Sequence, residues 1–201
     1  MPIAQSVVGI QSVSDGATVT NRAGRSGELI ASALHAKFYE AASRKSRFVG
    51  ANQAAQALSA ALATTYTGVV LSNPAGSGVN AVLDLVGFAP TVAPASIASL
   101  GLIGNFISTG LVTHTTPITP TCTFLDGNTT PRCDVDSAAT LPNAPVWLAN
   151  FASVFTTLSS TSNCVVDVGG MFIIPPGGYI AIGGLVAYTG LGFMAWEEVP
   201  V

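Results

Sequence analysis

Apolar residues recur along this chain in short runs closed by glycine and proline, which is the spacing of strands. Cys164–Ile174 is rich in Val, Ile and Phe, Tyr179–Tyr188 is similar, and a third apolar run, Gly190–Trp196, closes on Glu197-Glu198. Pro175-Pro176-Gly177-Gly178 lies between the first two. Its prolines fix φ and its glycines free it, as a turn reversing two strands requires. The three runs predict a closing meander, which cannot stand alone in water and needs a second sheet over it.

Upstream, Tyr66–Ser72 and Val79–Phe88 flank the loop Asn73-Pro74-Ala75-Gly76-Ser77-Gly78 and predict a hairpin. Ile97–Val112 is strand-compatible, with Gly101, Gly104 and Gly110 as bulges or bends. Thr113–Thr121 is a β-branched edge segment punctuated by proline. Asp126–Pro142 reads as a loop, and Pro145–Val154 as a strand carrying Trp147. Ala51–Thr65 is helical by composition alone, but it runs straight into Tyr66, so part of it is expected to be extended. Leu29, Ile30, Leu34 and Phe38 recur at helical spacing and predict one or two helical turns within Ser26–Arg47. Seven or eight similar strands without interleaved long helices predict an all-β fold. The architecture expected is an antiparallel two-sheet β-sandwich, jelly-roll-like. An extended, partly helical N-terminal arm (1–47) would precede the sandwich body (48–201).

Composition changes that picture in one respect. The apolar fraction is 49%, but only 8% of residues are charged, about a third of the usual share. Ser, Thr, Ala and Gly must coat the exterior, which suggests that much of it faces protein. The charges are also unevenly placed. Before Phe48 there are six bases against three acids, a balance of +3. From Phe48 onward there is one base against seven acids, a balance of −6. A basic arm on an acidic body suits pairing with an acidic neighbour, another copy included. Arg22, Arg25, Arg44, Lys45 and Arg47 are the candidate contact residues. So few bases, with a pI of about 5.1, argue against a dedicated nucleic-acid binder.

Met1–Gly16 has neither a basic n-region nor a sustained apolar core, so a cytoplasmic origin is expected. The long uncharged runs are all interrupted by Pro, Gly, Thr or Asn, and none suits a membrane helix of ~20 residues. Cys122, Cys133 and Cys164 lack C-x-x-C spacing. A Cys122–Cys133 bridge is conceivable, but free thiols are favoured in a chain of this origin.

Candidate chemistry is sparse. The loop Ser72–Gly78 resembles a phosphate cradle only in its glycines, since it leads into a strand and no Lys follows. Asp126, Asn128, Asp134 and Asp136 could offer oxygens to Ca²⁺, but they lack the spacing and terminal Glu of an EF-hand. They read as a solvated loop. His35 and His114 have no Ser, Cys or Asp at a spacing that marks a triad. Tyr66, Trp147, Tyr179, Tyr188 and Trp196 could include a sugar-stacking platform, though core or interface roles are favoured. No catalytic residue, cofactor site or metal site is assigned.

Several segments together resemble a known family. They are His35–Arg44, Tyr66–Gly78, Val112–Pro117, Asp136–Pro142, Pro176–Tyr179 and Trp196–Pro200. In this order they resemble a family of small structural proteins of tailed bacteriophages, over most of the chain from about Arg22. None is diagnostic alone; the ordered set carries the resemblance. It implies a non-enzymatic virion component, assembled in the host cytoplasm as a symmetric oligomer. The expected role is a homotrimeric capsid decoration (cement) protein bound to the major capsid protein or other virion proteins. Neither nucleic acid nor membrane is an expected partner. The alternatives are a tail, collar or fibre component, or an adhesin for host glycans. A cellular carbohydrate-binding module is disfavoured by the lack of an export signal.

Overall fold

The computed structural model describes residues 36–108, 110–126, 129–154, 156–157, 164–187 and 189–201. Where β-branched and aromatic residues run between Gly, Pro or Asn, the chain forms strands, because such side chains fill a pleated, half-buried surface. The elements are α1 (Tyr39–Ser43), β1 (Arg47–Ala51), β2 (Gln56–Ala57), β3 (Thr65–Ser72), β4 (Val79–Pro90) and β5 (Ala98–Phe106). They continue with β6 (Thr113–Ile118), β7 (Thr121–Cys122), β8 (Asp134–Thr140), β9 (Val146–Val154), β10 (Cys164–Ile174), β11 (Gly178–Gly184) and β12 (Thr189–Pro200). Of the stretch expected to hold one or two helical turns, residues 26–35 lie outside the described residues, and the rest holds the single turn α1. The alanine-rich stretch forms no helix; between Ala51, which ends β1, and Thr65, which opens β3, it holds the short β2. Glu40–Val201 is one compact unit. Among the described residues no helix is long and apolar enough to cross a membrane.

Two antiparallel six-stranded sheets form the sandwich. One runs β10-β4-β12-β1-β7, with β2 also on β12; the other runs β6-β8-β3-β11-β5-β9. The pairing is symmetric about the middle of the chain: β3 with β11, β4 with β10, β5 with β9 and β6 with β8. An antiparallel ribbon folded across two sheets in this way is the jelly roll. Strands β6 to β8 lie between the fifth strand and its partner in sequence; β6 and β8 widen one sheet and β7 is added at the edge of the other.

The hairpin and the meander expected from the turn signals do not form. β3 and β4 lie in different sheets, and so do β10 and β11, and β11 and β12. The loops between them are arches that cross from sheet to sheet. Periodicity identifies a strand but not its partner, and β3, β4 and β11 are buried too fully for a two-stranded hairpin. All seven residues of β11 are buried. A loop of several residues can span the ~10 Å between sheets or reverse within one. In the second arch Gly177 has φ +91°, and a Cβ there would lie 2.7 Å from the Ile107 carbonyl oxygen, so only glycine fits.

The expected loop Asp126–Pro142 is also overturned in part. Its second half is β8, hydrogen-bonded between β6 and β3. The sequence Asp-Val-Asp-Ser-Ala-Ala-Thr has one strand-forming apolar residue, and ladder bonds on both sides supply what propensity lacks. Between the sheets lie Leu71, Leu83, Leu102, Ile180, Ile182, Met194 and Trp196, each at most 1% exposed. The Tyr66 ring joins them, and its hydroxyl donates to the Ile182 carbonyl. All three cysteines are free, with Cys122 and Cys133 buried. Burial, reinforced by the nearby Glu198 carboxylate, pushes the Cys133 thiol well above its ordinary range.

Candidate assembly surface

Arg22 and Arg25 lie outside the described residues. Arg44 follows α1 and donates through Nε to Glu40 Oε1 at 2.7 Å, an exposed i, i+4 pair worth only a few tenths of a kcal/mol. Lys45 sits at φ +58° and is ion-paired with Asp126. That hydrogen bond and charge raise its pKa. Arg47 is a different case. It opens β1, is 7% exposed, and its Nε donates to Asp84 Oδ2 on β4 at 2.9 Å. Its guanidinium is held inside its own body, so it is removed from the contact residues. Sequence could not show this, because Asp84 is 37 residues away and meets Arg47 across β12. Instead, Arg44 and Lys45 converge with Arg132 around a shallow cleft bordered by Phe48 and Glu198.

The same economy holds for the rest of the body. Asp136 bonds His114, and Asp167 accepts from the Gly169 N–H. Glu197 accepts from Ser46, and Arg132 Nη1 donates to the Ser77 carbonyl. The Glu198 carboxylate accepts from the backbone N–H groups of Arg132 and Cys133 at 2.8–3.0 Å. Among the described residues from Glu40 onward, each charged side chain has a partner within the chain, Asp134 having the loosest.

Large apolar side chains are left facing outward. The most concentrated set lies where the sandwich opens between its two edge strands β9 and β10. A cleft of about 320 Å³ there is lined by Phe106, Val146, Leu148, Phe172, Ile173 and Tyr179. Phe106, Val146, Leu148 and Ile173 are 42–60% exposed. Along β10 residues alternate between half-buried and exposed, and Val165 and Met171 extend the apolar row.

One polar constellation was not visible in the sequence. Asp136 on β8 is fully buried, and its Oδ2 lies 2.8 Å from His114 Nδ1 on β6. His114 Nε2 lies 3.7 Å from Asp134 Oδ2. Burial raises the Asp136 carboxyl, while His114 pulls it back. A histidine oriented by a buried carboxylate is half of a nucleophile–base relay. Ser137 Oγ, beside it, donates instead to the Thr116 carbonyl. The arrangement orients a histidine beside a polar pocket that Ser72, Asn73 and Asp134 also line. The 22-residue spacing of His114 and Asp136 is the only sequence trace of it.

The remaining candidates disperse. Asp126 pairs with Lys45, away from Asp134 and Asp136 on β8, and Asn128 lies outside the described residues. Among the described residues no cluster of His, Cys, Asp and Glu could hold a metal ion. Tyr66, Tyr179 and Trp196 are buried, Trp147 is half-buried and Tyr188 is outside the described residues. No family model matches the chain, nor does any curated protein or solved structure.

Proposed function

We propose that this chain is a non-enzymatic structural protein of a bacteriophage virion, a decoration protein that stabilises the capsid as a symmetric homotrimer against the major capsid protein. One observation carries the reading. The few charges of the body have partners within their own fold, while large apolar side chains face outward. Such an exterior is suited to contact with protein rather than to a long life exposed to water. The jelly roll is compatible, since viral capsid domains use it, but lectin domains and cupins use it too, so the fold does not choose among them. Of the basic residues, Arg22, Arg25, Arg44 and Lys45 keep a contact role towards acidic neighbours.

Quantitative mass spectrometry and cryo-electron microscopy of purified virions test the reading. The expected result is a fixed, high ratio of this chain to the major capsid protein, with density at capsid symmetry axes. Absence from virions overturns it. A few copies at the tail would transfer the protein to the tail or fibre class.

A further inference from the structure

We infer that the mouth between β9 and β10 is the surface through which one copy of this chain packs against the next. The inference rests on the assembly reading above and names its contact surface.

The two sides of the sandwich are treated differently. An edge strand presents unpaired backbone groups, and proteins guard such edges with proline, lysine or short strands. On one side the edges are β6 and β7. β6 carries Pro117 and exposed threonines, and β7 has two residues. On the other side the edges are β9 and β10, nine and eleven residues long. Neither holds Lys, Arg or Pro, and their one charge, Asp167, bonds the Gly169 N–H. Apart from an irregularity around Gly169 and Gly170, nothing among the described residues guards this side.

Its apolar area is of interface size. Phe106, Val146, Leu148, Val165, Met171 and Ile173 are 42–73% exposed. Together they leave roughly 500–700 Å² of apolar surface, taking about 150–200 Å² for each fully exposed side chain. A standard interface takes ~800 Å² from each partner, of which a little over half is apolar. The strip alone supplies that share.

Charge selects a second copy as the occupant. The chain carries −3 overall, so identical copies repel wherever their charged faces meet. Along this strip Asp167 is the only charge, so the β10 side of one copy can meet the β9 side of the next with little repulsion. Placing β10 of one copy beside β9 of the next uses each edge once and gives the outward backbone groups a partner. Such a head-to-tail contact closes into a ring under a three-fold rotation.

Light scattering coupled to size-exclusion chromatography on the full chain tests this with Val146→Lys, Ile173→Lys and, on the guarded edge, Thr115→Lys. The expected result is three chain masses for the wild type and for Thr115→Lys. The two strip variants should associate about 100-fold more weakly, since each buries an unpaired charge, with unchanged circular dichroism. A wild type that stays monomeric at every concentration overturns the inference, as do strip variants that keep the wild-type mass. If the variants do not fold, hydrogen exchange of the wild type decides. β9 and β10 amides should lose protection on dilution, and protection independent of concentration overturns the inference. The two readings fail separately. A trimer held by this strip but missing from virions overturns only the virion reading. A virion protein whose strip variants still trimerise overturns only this one.

Discussion

The side-chain amide of Asn73 donates to the carbonyl of Ile174 at 2.8 Å, across 101 residues of sequence. The same nitrogen donates to the Val79 carbonyl at 2.8 Å. The Asn73 backbone N–H donates to the Gly178 carbonyl, and its own carbonyl accepts from the Gly177 N–H. One residue, 2% exposed, thus joins the β3–β4 arch to the β10–β11 arch where the folded ribbon crosses between sheets.

Asn73→Ala should therefore destabilise the body by about 2–4 kcal/mol, because it removes two buried hydrogen bonds and leaves the Val79 carbonyl with the longer bond from Ser77 Oγ at 3.3 Å. Urea unfolding followed by circular dichroism measures it. A loss under about 0.5 kcal/mol would show that the arches hold together without this side chain.

Arg47 and Asp84 form a buried pair, and removing either takes a charge-assisted hydrogen bond from the buried charge that stays. Arg47→Ala and Asp84→Ala should each cost about 3–5 kcal/mol, while Arg47→Met with Asp84→Leu should recover most of the loss. Unfolding of the four proteins in a double-mutant cycle gives the coupling. Single losses below about 1 kcal/mol would mean that solvent reaches the pair, which would return Arg47 to the contact residues.

Asp136 gives stability a pH dependence of defined sign. Burial raises its carboxyl above the ordinary 3.8, against the pull of His114 and with a small push from Asp134. The folded chain therefore holds this proton more tightly than the unfolded chain. The contribution is fully present below the unfolded value and is lost as pH climbs through the raised folded value. Relative to Asp136→Asn, the wild type should lose stability as pH rises from about 4. Urea midpoints over a pH series test this. A difference that grows in the wild type's favour would mean that His114, not burial, dominates.

Strand existence was legible from the chain because it is a local property. β-Branched runs stopped by glycine and proline located β3, β4, β5, β9, β10, β11 and β12. Proline and threonine marked β6 as an edge. β8 was not legible, since Asp-Val-Asp-Ser-Ala-Ala-Thr gains its strand from neighbours on both sides. The candidate site was less legible. Arg44 and Lys45 lie on the surface as composition suggested, but the partners of Arg47 and His114 are 37 and 22 residues away, and no pattern of single residues encodes such pairs.

By itself the sequence determined an all-β chain with too few charges to coat a free surface, and a sandwich as the means of burying its strands. The tertiary structure alone decided that Pro-Pro-Gly-Gly and Asn-Pro-Ala-Gly-Ser-Gly are arches and not hairpins. It also decided which basic residue turns inward and which edge stays open. The physical reason is the same in each case. Backbone propensity and side-chain periodicity act over a few residues, whereas strand partnership, ion pairing and edge exposure depend on which distant segments the folded ribbon brings together.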